Sequence, residues 1–204
     1  MQPALKSKMI MPAKQEFAIS YLTSVCELIN NLEIITIEKI INAMTEARAQ
    51  ESTIYFMGNG GSAATASHYA NDLRIGTHIP GSKPLKAVSL VDNISIMTAL
   101  ANDEGYENIF VRQLEGILKE KDVVFALSVS GNSCNVLKAV RYAKEIGAIT
   151  ISCTGFDGGD LKNITDLNLH MPASQGDYGP VEDVFTILGH LIYSYLRSER
   201  NGIQ

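Results

Sequence analysis

The chain has 204 residues, enough for one domain with its own core and no need of disulfide or metal staples. Hydrophobic residues make up 46% and charged residues 19%, and the formal net charge of −5 argues against a broad nucleic-acid or membrane-binding face. The three cysteines, Cys26, Cys134 and Cys153, form no CxxC pair and no metal-ligand spacing, so they read as reduced thiols packed as small hydrophobes. No apolar run reaches transmembrane length, and the N-terminal MQPALKSKMIMPAKQEF is too polar for a signal-peptide core. A cytoplasmic protein without nucleic-acid or membrane partners is expected.

Residues 13–50 read as two helices. Phe17, Tyr21, Val25 and Leu28 recur at helical spacing, as do Ile37, Ile40, Ile41 and Met44. From Thr53 short apolar runs alternate with helical segments: TIYFM at 53–57, KAVSL at 86–90, DVVFAL at 122–127, AITISC at 148–153 and DLNLHM at 166–171. This alternation predicts an α/β fold, a flavodoxin-like doubly wound sheet of five parallel strands with helices on both faces. A closing helix is expected over about 181–197. The expected organisation is a single domain over 1–204, with leading helices in 1–50 and the α/β core in 51–200. The leading helices are not part of the sheet unit, and pack either on it or against another subunit.

Open parallel sheets bind ligands at the carboxyl ends of their strands. After the first strand comes Gly58-Asn59-Gly60-Gly61-Ser62. The glycines allow positive φ and close backbone approach, and a helix starts at once with Ser62 as a candidate N-cap. A helix N-terminus there suits an anion, although a tight strand-to-helix turn uses the same residues. The run also fits Gly-x-Gly-x-x-Ala, but the acidic residue a dinucleotide site wants about 20 residues on is absent; Asp92 lies about 30 residues on. After the third strand come Ser128-Val129-Ser130-Gly131-Asn132-Ser133 and a helical segment. Hydroxyls and N–H groups at that turn can hold a phosphate without a lysine, and serines also serve as plain caps. Thr154-Gly155-Phe156-Asp157-Gly158-Gly159, after the fourth strand, reads as a turn with no assigned chemistry.

His68 and Asp72 lie four residues apart on one helix face, and the last helix carries Glu182, Asp183 and His190. Histidine and carboxylate sets suit zinc or a similar divalent ion. A surface pair at 68 and 72 and a packed histidine in TILGHLIYSYL are the plainer alternatives.

Together the three loops, Gly58–Ala64, Ser128–Val136 and Thr154–Gly159, resemble the signature of the sugar isomerase (SIS) domain family, and within it the phosphoheptose isomerases. The resemblance runs from about Phe17 to Arg197. It implies a sugar phosphate substrate, a metal-dependent aldose–ketose isomerisation through an enediol, and a place in lipopolysaccharide or capsule synthesis. It also implies a homotetramer built with the two leading helices. In that family a His and a Glu four residues later, then a Gln and a His eight residues later, bind zinc. The Glu and the final His form the acid–base pair. The matching positions here are His68, Asp72, Glu182 and His190, so Asp replaces Glu and Glu replaces Gln. Helical geometry aligns Asp183 with His190 better than Glu182, which makes Asp183 the reserve ligand. The resemblance further implies that Asn59, Gly60, Gly61, Ser62, Asp103 and Glu182 contact the sugar, and Ser128, Ser130 and Ser133 the phosphate. Val129 stands where a Thr is usual. The Asp-Arg pair before the last helix is missing: Gly179 and Pro180 occupy that stretch, with Asp177 nearby. All four metal-site residues are expected to converge in one pocket at the carboxyl edge of the sheet. Alternatives are a non-catalytic SIS-domain regulator that binds the bacterial replication initiator, or a phosphosugar-sensing module.

Overall fold

The computed structural model describes residues 13–78, 80–81 and 83–198. The start of the N-terminal stretch weighed as a signal peptide lies outside the described residues.

In chain order the elements are α1 (Ala13–Asn30), α2 (Ile34–Gln50), β1 (Thr53–Gly58), α3 (Gly61–Asn71), β2 (Lys86–Ser89), α4 (Ile94–Asp103), α5 (Val111–Leu114), β3 (Val123–Ser128), α6 (Cys134–Ile146), β4 (Ile149–Thr154), α7 (Leu161–Ile164), β5 (Leu167–His170) and α8 (Tyr178–Ser198). A π-helical turn, Asp72–Gly76, continues α3, and a 3-10 turn, Tyr106–Asn108, precedes α5. All five expected strands form, each within a residue or two of its apolar run. α4 has only a cap signal: Asn93 accepts a hydrogen bond from the Ile96 N–H at 3.1 Å. α6 stops at Gly147, whose φ of 85° lets its N–H reach the Ala143 and Lys144 carbonyls.

The sheet is all parallel in the order β2-β1-β3-β4-β5. Side chains alternate between its faces, so each face builds its own core. Ile54, Phe56, Val123, Phe125, Ile151 and Leu169 pack with α2, α3 and α8 on one side. Tyr55, Met57, Val124 and Ala126 pack with Phe110, Val140 and Leu161 on the other. β1 leads to β2 on one side, and the next strand pairs on its opposite side, where Gly58 lies in register with Leu127. The switch point of the strand order therefore falls between β1 and β3, and a crevice opens at their carboxyl ends.

The N-terminal stripe does not pack as its spacing predicts. α1 has no fully buried residue; Val25 and Leu28 lean on the core, whereas Phe17 stays 72% exposed. α2 buries Ile37, Ile40, Ile41 and Met44 as expected. The cysteines also divide. Cys153 is buried in the core, where burial pushes its thiol pKa well up, but Cys26 and Cys134 are exposed. Cys26 lies on a helix that meets the core along one edge only, and Cys134 opens α6 at the crevice side.

Candidate functional site

The glycine loop after β1 and the serine loop after β3 face each other across the switch point. They line a cleft of about 340 Å³ with Asn59, Gly60, Gly61, Ser62, Ser128, Ser130 and Ser133, closed by Tyr178 and Glu182 of α8. A larger hollow of about 610 Å³ runs along the β2 edge past Ile75 and Leu85. It lies at the edge strand, away from the switch point, so the smaller cleft is the better ligand site.

Ser62 is not the N-cap its position predicts. The helix begins two residues earlier than that cap would give, with Gly60 at the cap in a positive-φ conformation that a side chain disfavours. Ser62 is buried instead, and its hydroxyl donates to Glu182 Oε1 at 3.3 Å. Glu182 lies so close over Gly61 that a β-carbon there would sit 2.3 Å from its Oε2. Glycine at 61 is what lets the carboxylate rest on the loop.

The serine loop is held from below. Gly155 N donates to Val129 O at 2.8 Å, Leu161 N to Gly131 O at 3.0 Å, and Asp160 N to Asn132 Oδ1 at 3.0 Å. The turn after β4, to which the sequence assigned no chemistry, thus braces this loop. Ser128 Oγ accepts from Gly131 N at 3.2 Å and Ser130 Oγ from Asn132 N at 3.3 Å. Ser133 occupies the N-cap of α6, yet its hydroxyl caps nothing in the helix. Plain capping therefore does not account for it. Its Oγ lies 3.5 Å from Ser128 Oγ, and the first N–H groups of α6 follow.

Further along the same helices, three donors converge. His68 Nε2 lies 3.2 Å from Asp72 Oδ2, His190 Nε2 lies 3.9 Å from the same oxygen, and the two Nε2 atoms are 3.4 Å apart. The edge of a tetrahedron built on bonds of about 2.0–2.1 Å is roughly 3.4 Å. Two imidazoles and a carboxylate at these separations fit three corners of a divalent transition-metal site, with the fourth left open. All three side chains reach solvent, so neither histidine is a packed core residue. α3 and α8 run parallel. Ser62 meets Glu182, the added β-carbon of Gly189 would meet the Tyr69 ring at 2.1 Å, and Tyr69 donates to Phe185 O at 2.5 Å. Asp72 also opens the π-helical turn, a local widening often found at functional sites.

The four expected metal-site residues therefore do not share one pocket in a single chain. His68 lies about 10 Å along α3 from Gly61, and Glu182 is two turns of α8 above His190. Glu182 is not among the three converging residues, because its carboxylate is drawn to the glycine loop. Nor is Asp183: its Oδ2 accepts from Tyr21 OH at 2.6 Å, and that bond is the main reason the phenol pKa is raised to about 12. Asp103 ends α4 on the exposed surface, beside the Asn102 amide at 2.7 Å, and does not line the cleft. Val129 is buried at the cleft wall, with its Cγ1 packed toward Gly155.

Sequence reasoning missed Tyr178, Tyr106 and the role of Asn135. Tyr178 stands edge-on to Phe156, ring centroids 4.9 Å apart, at the wall where the Asp-Arg pair is absent. Asn135 carried a faint signal as an amide on the apolar face of α6; the tyrosines carried none.

Comparison with known proteins gives the family. The SIS domain family model matches residues 19–155. Phosphoheptose isomerase of Helicobacter pylori (strain P12) is 37% identical over 156 residues, 76% of this chain and 80% of that protein. That of Clostridium acetobutylicum is 37% identical over 166 residues, 81% and 83% of the two chains. The structure of phosphoheptose isomerase GmhA from Neisseria gonorrhoeae superimposes with a TM-score of 0.80 at 28% identity, covering 91% of this chain and 96% of that one. With the family model matched over residues 19–155 and 37% identity across most of these relatives, the chain belongs to the SIS-domain family and, within it, to the phosphoheptose isomerases.

Proposed function

We propose that the protein is a sugar phosphate aldose–ketose isomerase that converts sedoheptulose 7-phosphate into a heptose 7-phosphate for lipopolysaccharide or capsule synthesis. The convergence of His68, Asp72 and His190 at the spacing of a tetrahedral metal site carries this reading. The serine loop and the start of α6 hold the phosphate through Ser128, Ser130 and Ser133, with Asn59, Gly60, Gly61, Ser62 and Glu182 along the sugar. Asp103 joins them only if another subunit brings it there.

A divalent ion, zinc by the donor set, would be held by His68, Asp72 and His190 and would supply Lewis acidity for polarising the substrate carbonyl. Asp72 and His190 are the acid–base pair. One removes a proton from the carbon next to the carbonyl and the other serves the oxygens, so the double bond shifts through an enediol with no net gain or loss of atoms. Glu182 adds negative charge beside the sugar.

The chain works as one SIS unit in a homotetramer. Phe17 and Leu22 on α1, Ile94 on α4, and Leu191 and Tyr195 on α8 are large apolar side chains left exposed, and burying them on like chains explains the apolar stripe of α1. Among the described residues no helix is long and apolar enough to cross a membrane, which is consistent with a cytoplasmic enzyme.

The test is metal analysis of protein purified without chelator, with turnover of sedoheptulose 7-phosphate. His190→Ala should keep the fold, lose the metal and lower turnover by at least roughly 10²-fold. Sugar phosphate binding without metal or turnover would replace this reading with that of a regulator.

A further inference from the structure

We propose that Asn135 and Tyr106 are positioning residues that fix the side-chain amide of Asn59 as a donor of a single hydrogen bond to a substrate oxygen. Asn59 lies on the glycine loop and Asn135 in the first turn of α6, so the pair ties together the two loops of the cleft. The Asn59 Nδ2 donates to Asn135 Oδ1 at 2.9 Å, and Asn135 Nδ2 donates back to Asn59 Oδ1 at 2.9 Å. Asn135 is 1% exposed, so its amide has no water to fall back on.

The orientation of both amides follows from one backbone group. The Val136 N–H can only donate, and it lies 2.9 Å from Asn135 Oδ1. That fixes which end of the Asn135 amide is oxygen. The reciprocal pair then fixes which end of Asn59 is oxygen. Tyr106 OH, 2.8 Å from Asn59 Oδ1, must therefore donate. An amide oxygen has two lone pairs and an amide nitrogen two hydrogens. Both lone pairs of Asn59 Oδ1 are filled, and one hydrogen of Nδ2 is used. One N–H remains, with no partner among the described residues, on a side chain that lines the cleft. Asn59 can give one hydrogen bond to a ligand and accept none. It selects a carbonyl or hydroxyl oxygen of the sugar and is set for that task before the ligand arrives.

This rests on the cleft taking a sugar phosphate. Tyr106 is 52% exposed, so Tyr106→Phe should fold normally. The experiment is a double-mutant cycle read by calorimetric titration of sedoheptulose 7-phosphate and, separately, inorganic phosphate. Tyr106→Phe should weaken the sugar phosphate about three- to tenfold, the worth of one neutral hydrogen bond, and leave inorganic phosphate within about twofold. In an Asn59→Ala background, Tyr106→Phe should have no further effect on either. Asn135→Asp, which keeps the acceptor for Val136 and removes the donor to Asn59, should reproduce the selective loss. Equal losses for Tyr106→Phe in both backgrounds, equal losses for both ligands, or no loss at all would each overturn the proposal. Wild-type protein that shows the coupled cycle without turnover would overturn the isomerase reading and leave this one standing.

Discussion

Replacing Gly131 by alanine tests whether the serine loop depends on the turn beneath it. Gly131 has φ +63°, where a β-carbon costs about 1–2 kcal/mol. The new methyl would also sit 1.9 Å from the Gly158 carbonyl oxygen, well inside the 3.0 Å that real β-carbons keep. Two backbones meet there, so no flexible side chain can give way. The loops must part, and the bonds from Gly155 N to Val129 O and from Leu161 N to Gly131 O go with them. With each lost bond at about 0.5–1.5 kcal/mol, the whole change costs about 2–5 kcal/mol. Gly116→Ala is the control: its φ is +77°, but an added β-carbon there meets nothing within 4 Å, so only backbone strain is expected. Urea unfolding of the three proteins at one protein concentration gives the differences, and titration with inorganic phosphate reads the loop itself. If Gly131→Ala costs no more than Gly116→Ala and phosphate affinity is unchanged, the bracing argument is wrong.

Ser130→Ala and Ser133→Ala should each weaken sugar phosphate binding by roughly 1.5–3 kcal/mol, as expected for a hydrogen bond to a charged group, and calorimetry reads it directly. Asp166 gives a pH prediction. Burial pushes its carboxyl pKa up, but bonds from Lys144 Nζ at 2.6 Å, Thr150 Oγ1 at 2.7 Å and Thr150 N at 2.9 Å outweigh this and hold it below 3.8. A carboxyl with a depressed folded pKa stabilises above the unfolded pKa, and that contribution is lost as pH falls through the folded value. Asp166→Asn should thus lower the melting temperature near neutral pH and flatten its decline below about pH 4. Light scattering at micromolar concentration should give four times the chain mass of 22.2 kDa, and Leu191→Glu should reduce it.

The sheet and both ligand loops were legible because their signals are local. Five short β-rich runs separated by helical stretches leave few topologies, and glycine and serine clusters at strand ends mark where backbone and hydroxyls are offered. The pairing of His68 with Asp72 was legible from helical spacing. What spacing cannot give is the rotamer a side chain takes among competing partners. Glu182 turns to Ser62 and the glycine loop, Asp183 is drawn to Tyr21 from a helix 162 residues away, and neither joins His190. Asn59 likewise read as a free sugar contact, yet three of its four amide positions are spent on Asn135 and Tyr106. The exposure of α1 was hidden for a different reason: an apolar stripe records that a face will be covered, but not by which chain.

The contact of Tyr69 with Gly189 sits one residue from each imidazole, and this makes the proposed metal site a matter of mechanical tolerance. The ring rests against a residue with no side chain, and its hydroxyl is tied to the turn of α8 just above. Together they set how far apart the two helices stand and how one is slid against the other. The imidazoles hang from these same two helices, so an error in that contact passes to the distance between their nitrogens. A search for folded variants that have lost metal should therefore return Gly189 and Tyr69 alongside His68, Asp72 and His190, although neither offers the ion a ligand.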